Sequence, residues 1–131
     1  MSNFRRSTRA PSRKLKKYYP ATTSLIRAAS RRSFELDPGG ALETYAANVL
    51  GAPFYYRKGR REIDFVGEGG EVAVEVKRTP SQRDVALLLR LGRGIGAERV
   101  VMVSESESGK VGGVQVVPAY ALDWAAPGLL K

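Results

Sequence analysis

The stretch REIDFVGEGGEVAVEVKR (61–78) reads as two strands joined by a tight turn. In its second half every other residue is a valine: Val72, Val74 and Val76. Strand side chains alternate between two faces, so one face there is valine alone, while Glu75 and Lys77 share the other. In the first half the same alternation places Ile63 and Phe65 on one face and Glu62, Asp64 and Val66 on the other. Glu68-Gly69-Gly70 supplies the turn chemistry. Folding about that turn brings Asp64 roughly opposite Glu75 or Lys77, with Cβ atoms about 4.5–5.5 Å apart. Two carboxylates so placed can hold a hard divalent cation through oxygen; Mg²⁺ favours one or two carboxylates completed by water and phosphate oxygens. A lysine on the same face can meet a metal-bound water or negative charge developing on a phosphate. The same residues also suit an ordinary wet strand face with an ion pair between Glu75 and Lys77.

Outward from this hairpin the pattern is mixed. Before it, PFYYRK reads as a strand, turned into the next by Lys58-Gly59-Arg60. Upstream, ALETYAANVL places Leu42, Tyr45, Ala46, Val49 and Leu50 on one helical stripe, with Gly51 suited to the position after the helix. Asp37-Pro38-Gly39-Gly40 reads as a turn ahead of that helix. Glu43 lies in the helix among apolar positions and can reach the acids of the hairpin. After the hairpin, Thr79-Pro80-Ser81 opens a second helix, with proline near its first position and a capping pattern between Ser81 and Asp84. GRGIGA ends that helix. It follows a helix and precedes a strand, the reverse of a dinucleotide fingerprint. RVVMVSES reads as a buried strand, SESGKVGG as a polar loop, and VQVV as a last strand stopped at Pro118, with a tail that docks Leu122 and Trp124. Helix, three strands, helix, two strands describes an α/β fold with a meander and a crossover helix. The last strand, near Val114 to Val117, is expected at an edge of the sheet, where it could pair with a second copy in a homodimer.

Composition narrows the chemistry. With 131 residues, 43% of them hydrophobic, the chain suits one domain. It has no cysteine and no histidine, which removes thiolate sites, histidine-ligated zinc and Ser-His-Asp catalysis. No apolar run approaches the roughly 18 residues of a membrane span, and no apolar segment follows the basic N-terminus, so a cytoplasmic protein is expected. Ten of the 22 basic residues fall within residues 1–32, which hold no acid; the remainder has 12 against 13 acids, so the net charge of +9 belongs to the first quarter. This block fits a polyanion-binding arm or a solvated tail. Residues 1–14 read as a flexible basic arm and 15–131 as the domain, with LKKYYPA as a strand or linker and TTSLIRAAS as one or two helical turns.

A helix with an acid, then "YYR…EIDF", then "EVK", resembles the PD-(D/E)xK nuclease superfamily, with Asp64 as the motif aspartate, Ile63 in place of proline and Glu75-Val76-Lys77 as the (D/E)xK. GGALETYAANVL, FYYRKGRREIDFV and VAVEVKR are more closely similar to the C-terminal nuclease-like domain found on prokaryotic AAA-type ATPases. The resemblance spans about residues 13–124 and implies a restriction-endonuclease-like core, a mixed central sheet of about four to five strands flanked by helices. It implies that Asp64 and Glu75, with the Val76 carbonyl, ligate Mg²⁺ or Mn²⁺, that Lys77 activates the attacking water, and that Glu43 assists at a metal-bound water or second cation. The implied reaction is metal-assisted phosphodiester hydrolysis of DNA. The implied partner is an ATPase, separate or once fused to this chain.

Arg57, Lys58, Arg60 and Arg61 crowd the first hairpin, and Gln82, Arg83, Arg90 and Arg93 lie on the second helix. Together with Lys14, Lys16 and Lys17 they are DNA-contact candidates; a solvated surface is the alternative. A non-catalytic DNA-binding or ATPase-accessory module on the same fold competes with the nuclease, as does a basic RNA-binding protein.

Overall fold

The computed structural model describes residues 2–4 and 38–129. Its elements are β1 (Ser2–Asn3), α1 (Pro38–Leu50), β2 (Phe54–Lys58), β3 (Arg61–Val66), β4 (Val72–Val76), α2 (Gln82–Ile95), β5 (Arg99–Ser104), β6 (Gly109–Val111), β7 (Val114–Pro118), a 3₁₀ turn (Ala119–Ala121) and α3 (Leu122–Leu129). The strands form one mixed sheet in the order β1-β2-β3-β4-β5-β7-β6. β2, β3 and β4 are an antiparallel meander, and β4, β5 and β7 run parallel.

The sheet is larger than the four to five strands expected. Ser2–Asn3 pair in parallel with β2, so the start of the basic arm belongs to the sheet. Gly109–Val111, expected as loop, pairs antiparallel with β7. It covers the edge that the sequence left open, so β7 lies between β5 and β6 and is not available for pairing with a second copy. The rest of the expected arm, with Lys14, Lys16, Lys17 and the segments 15–21 and 22–30, lies outside the described residues.

Each sheet face carries its own core. Val72, Val74, Val76, Val101 and Val103 pack with Phe65 against Leu42 and Ala46 of α1 and Leu122 and Leu129 of α3. On the other face Ala73, Met102, Val114 and Val116 pack with Ile63 and Val66 against Val85, Leu88, Leu91 and Ile95 of α2. Tyr45 ties the two helices of the first face together, its hydroxyl donating to Asp123 Oδ2 at 3.0 Å.

Local signals set most element ends. The Ser81 hydroxyl accepts from the Asp84 amide at 3.1 Å while the Asp84 carboxylate accepts from the Ser81 amide at 3.0 Å, a complete capping box. Ser81 is the cap residue itself, so Pro80 precedes the helix and does not occupy its first position. The α1 helix starts at Pro38, so Pro38-Gly39-Gly40 form its first turn and not a preceding one; proline is tolerated there because the first amides of a helix have no intrahelical acceptor. Leu122 is fully buried as expected, whereas Trp124 is 90% exposed and does not dock.

Gly70 anchors the N-terminal strand. It adopts φ +73°, and a Cβ there would overlap the ring of Phe4, which packs edge-on against Phe54. Gly70→Ala is expected to cost at least ~1 kcal/mol from the left-handed backbone alone, plus the displacement of Phe4. Urea unfolding measures the total, and the second part shrinks in a Phe4→Leu background.

Candidate active site

The first strand of the central hairpin is not regular. Phe54 pairs with Val66 but Tyr56 pairs with Ile63, so two residues of β3, Asp64 and Phe65, lie opposite Tyr55 alone. This is a bulge, and it interrupts the alternation. Ile63 and Val66 therefore enter the α2-side core while Phe65 enters the other. The expectation that Ile63 and Phe65 share a face, with Val66 opposite them, is corrected: one extra residue moves everything after it to the other side.

The bulge gives Asp64 a place inside the ladder. The β3–β4 register pairs Val66 with Ala73 and Phe65 with Val74. Beyond it the Val76 amide donates to Asp64 Oδ2 at 2.8 Å, a side chain standing where a strand carbonyl would. On its other side the chain stays in the sheet, with Val76 paired to Val103 of β5 and the Lys77 amide donating to the Val103 carbonyl at 2.9 Å. Thus β4 keeps its straight partner β5 while β3 peels away, and the gap between them is filled by carboxylates.

Glu75 meets Asp64 in that gap, and their carboxyl groups are hydrogen-bonded. Burial, then the bond to Asp64 and its charge, push the Glu75 carboxyl up to about 11; Glu43 adds to the rise and Lys77 opposes it. The protonated form of Glu75 is accordingly favoured. Glu43 of α1, Glu62 and Asp64 of β3 each place a carboxylate oxygen within 4.8 Å of the others. Asp64 is buried at 8% exposure and the other two are half-buried.

Of the expected acids, Glu43 and Asp64 come together and Glu75 joins through Asp64. Glu62 is not among the expected site residues. Its signal is available in the sequence: it stands two residues before Asp64 on an alternating strand, on the same face. It is also an ion-pair partner, since Arg57 Nη2 and Nε donate to Glu62 Oε2 at 2.7 and 3.0 Å. Lys77 is exposed, and its charge reaches Glu75.

The basic candidates divide. Arg57 lies over the Tyr55 ring, 5.7 Å from its centroid, and is bound to Glu62, so it belongs to the acidic side. Lys58, Arg60 and Arg61 at the hairpin tip, and Gln82, Arg83, Arg90 and Arg93 on α2, are exposed. Tyr55 is fully buried and Tyr56 half-buried, one core and one margin residue.

The donor set is oxygen only, which suits a hard cation over softer metals. Several carboxylates that cannot all ionise together also fit a place where a cation would replace a shared proton. No family model matches the chain, and no curated protein or solved structure matches it with significance. Among the described residues no helix is long and apolar enough to cross a membrane.

Without added metal, stability falls as pH rises. Glu75 ionises in the unfolded chain near its ordinary 4.5 but stays protonated when folded until about 11. The folded state therefore binds the extra proton between those values, and each pH unit in that window costs at most ~1.4 kcal/mol. Thermal melts in EDTA from pH 5 to 8 should show a falling Tm, flattened by Glu75→Gln. Millimolar Mg²⁺ or Mn²⁺ should raise Tm, more at pH 8 than at pH 6.

Proposed function

We propose that the protein is a metal-dependent DNA nuclease of the PD-(D/E)xK type, built on a restriction-endonuclease-like core. The observation that carries this reading is the gap between β3 and β4, where the Val76 amide holds Asp64 against Glu75, with Lys77 two residues further on. Asp64, Glu75 and Glu43 would hold Mg²⁺ or Mn²⁺, with Glu62 and the Val76 carbonyl as further oxygen donors. Such a cation, when bound, supplies Lewis-acid polarisation of a phosphodiester.

The chain's own groups supply the rest. Asp64 is fixed by the Val76 amide and so presents its remaining oxygen in one orientation. Glu75, once deprotonated, is a carboxylate in a poorly solvated place, where attraction to a positive centre is strong. Lys77 sets an ammonium beside that carboxylate, placed to stabilise charge on a phosphate oxygen or to orient the attacking water. Arg57 holds Glu62 in the cluster and limits the repulsion among the acids.

A second reading, a DNA-binding or ATPase-accessory module that does not cut, is favoured by the same two contacts. Asp64 Oδ2 is taken up by a backbone amide and Glu62 by Arg57, so the acids also serve the fold.

Incubation of the pure protein with linear, single-stranded and branched DNA in Mg²⁺, Mn²⁺ or EDTA separates the two. The nuclease cuts with metal and is silent in EDTA. Asp64→Asn and Lys77→Ala should each lower cleavage at least ~10²-fold, the scale of losing a group that stabilises transition-state charge, while DNA binding persists. No cleavage by the unaltered protein under any metal would leave the binding module.

A further inference from the structure

The hairpin that carries the acids carries cations on its opposite face. In β2 and β3, Tyr56 and Ile63 pair and pack on the α2-side core, and Lys58 pairs with Arg61 one pleat further on, towards the tip. Arg57 and Glu62, between them, point to the α1 side and bind each other. The strand period thus sorts charge by face.

On the α2 side two adjoining clefts run between the hairpin and the helix. One, of about 480 Å³, is lined by Arg61, Arg83, Ala86, Leu87 and Arg90. The other, of about 280 Å³, is lined by Tyr56, Lys58, Arg61, Arg90, Leu91 and Gly94. Arg61 and Arg90 belong to both, so the clefts form one groove. Arg83, Arg90 and Gly94 recur at helical spacing with Ala86 and Leu87 between them, which makes one wall a single stripe of α2.

Two properties set this groove apart. Its four cations are paired with no carboxylate among the described residues; the ion pairs there are Arg57 with Glu62 and Arg78 with Glu105. Its floor is apolar, made of Ala86, Leu87 and Leu91 with Tyr56 at the side. Cations alone would serve any polyanion. A cationic rim over an apolar floor suits a ligand that alternates phosphates with flat apolar faces. A duplex turns its bases inward and offers only sugar and phosphate to such a surface, so the floor would go unused. An unpaired strand can lay a base or sugar on Leu87 and Tyr56 while its phosphates meet Arg61, Arg83 and Arg90.

We propose that this groove binds single-stranded nucleic acid. The inference rests on the proposed function for the nucleic-acid nature of the substrate, and not for the metal or the cleavage step. It makes the substrate a DNA with an unpaired segment, held on the face of the sheet opposite the acids.

The test is fluorescence anisotropy of a labelled oligo-dT 12-mer and a 12-base-pair duplex, in EDTA, over a range of salt. The single strand should bind tighter than the duplex. The Arg83→Ala/Arg90→Ala variant should bind it at least tenfold more weakly, with the slope of log K against log salt reduced by about 1.4, or about 0.7 for each phosphate that is no longer neutralised. Lys110→Ala, an exposed cation of β6 outside the groove, should bind as the unaltered protein does. Unchanged binding by the double variant, tighter binding of the duplex, or equal competition by polyphosphate charge for charge each overturns the proposal. Cleavage that fails while this binding holds removes the nuclease reading alone; binding that fails while cleavage holds removes the groove alone.

Discussion

The hydrogen bond from the Val76 amide to the Asp64 carboxylate is the contact on which the site depends. A buried strand amide with no acceptor costs roughly 1–3 kcal/mol. In a regular hairpin its acceptor is a carbonyl, and the two strands stay together. Here a side chain takes that place, so β3 can leave β4 without leaving the amide unsatisfied, and the space that opens lies against the first helix. Glu43 reaches in from α1, Glu62 comes along the same strand face, and Glu75 is already on β4. The acids meet because the ladder ends where it does.

Crowding then sets the protonation. The carboxylates of Glu75 and Asp64 cannot both be charged at contact distance in a dry place, and Lys77 is too exposed to offset this. A shared proton is one solution and a divalent cation is another. Arg57 provides a third, partial one for Glu62. The arrangement is held by parts that owe nothing to a cation: valines in both neighbouring strands, the paired cores, and the bulge itself.

The sheet also serves as a charge separator. Residues 57 to 62 alternate so that Arg57 and Glu62 point one way while Lys58 and Arg61 point the other. The meander carries this separation into the body of the domain, with α1 over the acids and α2 over the cations. A strand only a few residues long can thus contribute to two chemically unlike surfaces.

What the sequence alone determined is what depends on short-range physics. The valine period of β4, the capping box at Ser81, Gly51 after α1, the Pro118 stop and the approach of Asp64 to Glu75 through the 67–70 turn were all legible, because each rests on neighbours a few residues away. Tertiary structure decided the rest. The bulge at Asp64 and Phe65 inverts the face of every later residue in β3, and alternation has no means to anticipate an inserted residue whose cost is met by a distant amide. Glu62 is not singled out by its own segment, and joins the site because α1 brings Glu43 beside it. The pairing of Gly109–Val111 over β7, and of Ser2–Asn3 with β2, depends on which strand edge is free, a property of the assembled sheet that no single segment carries.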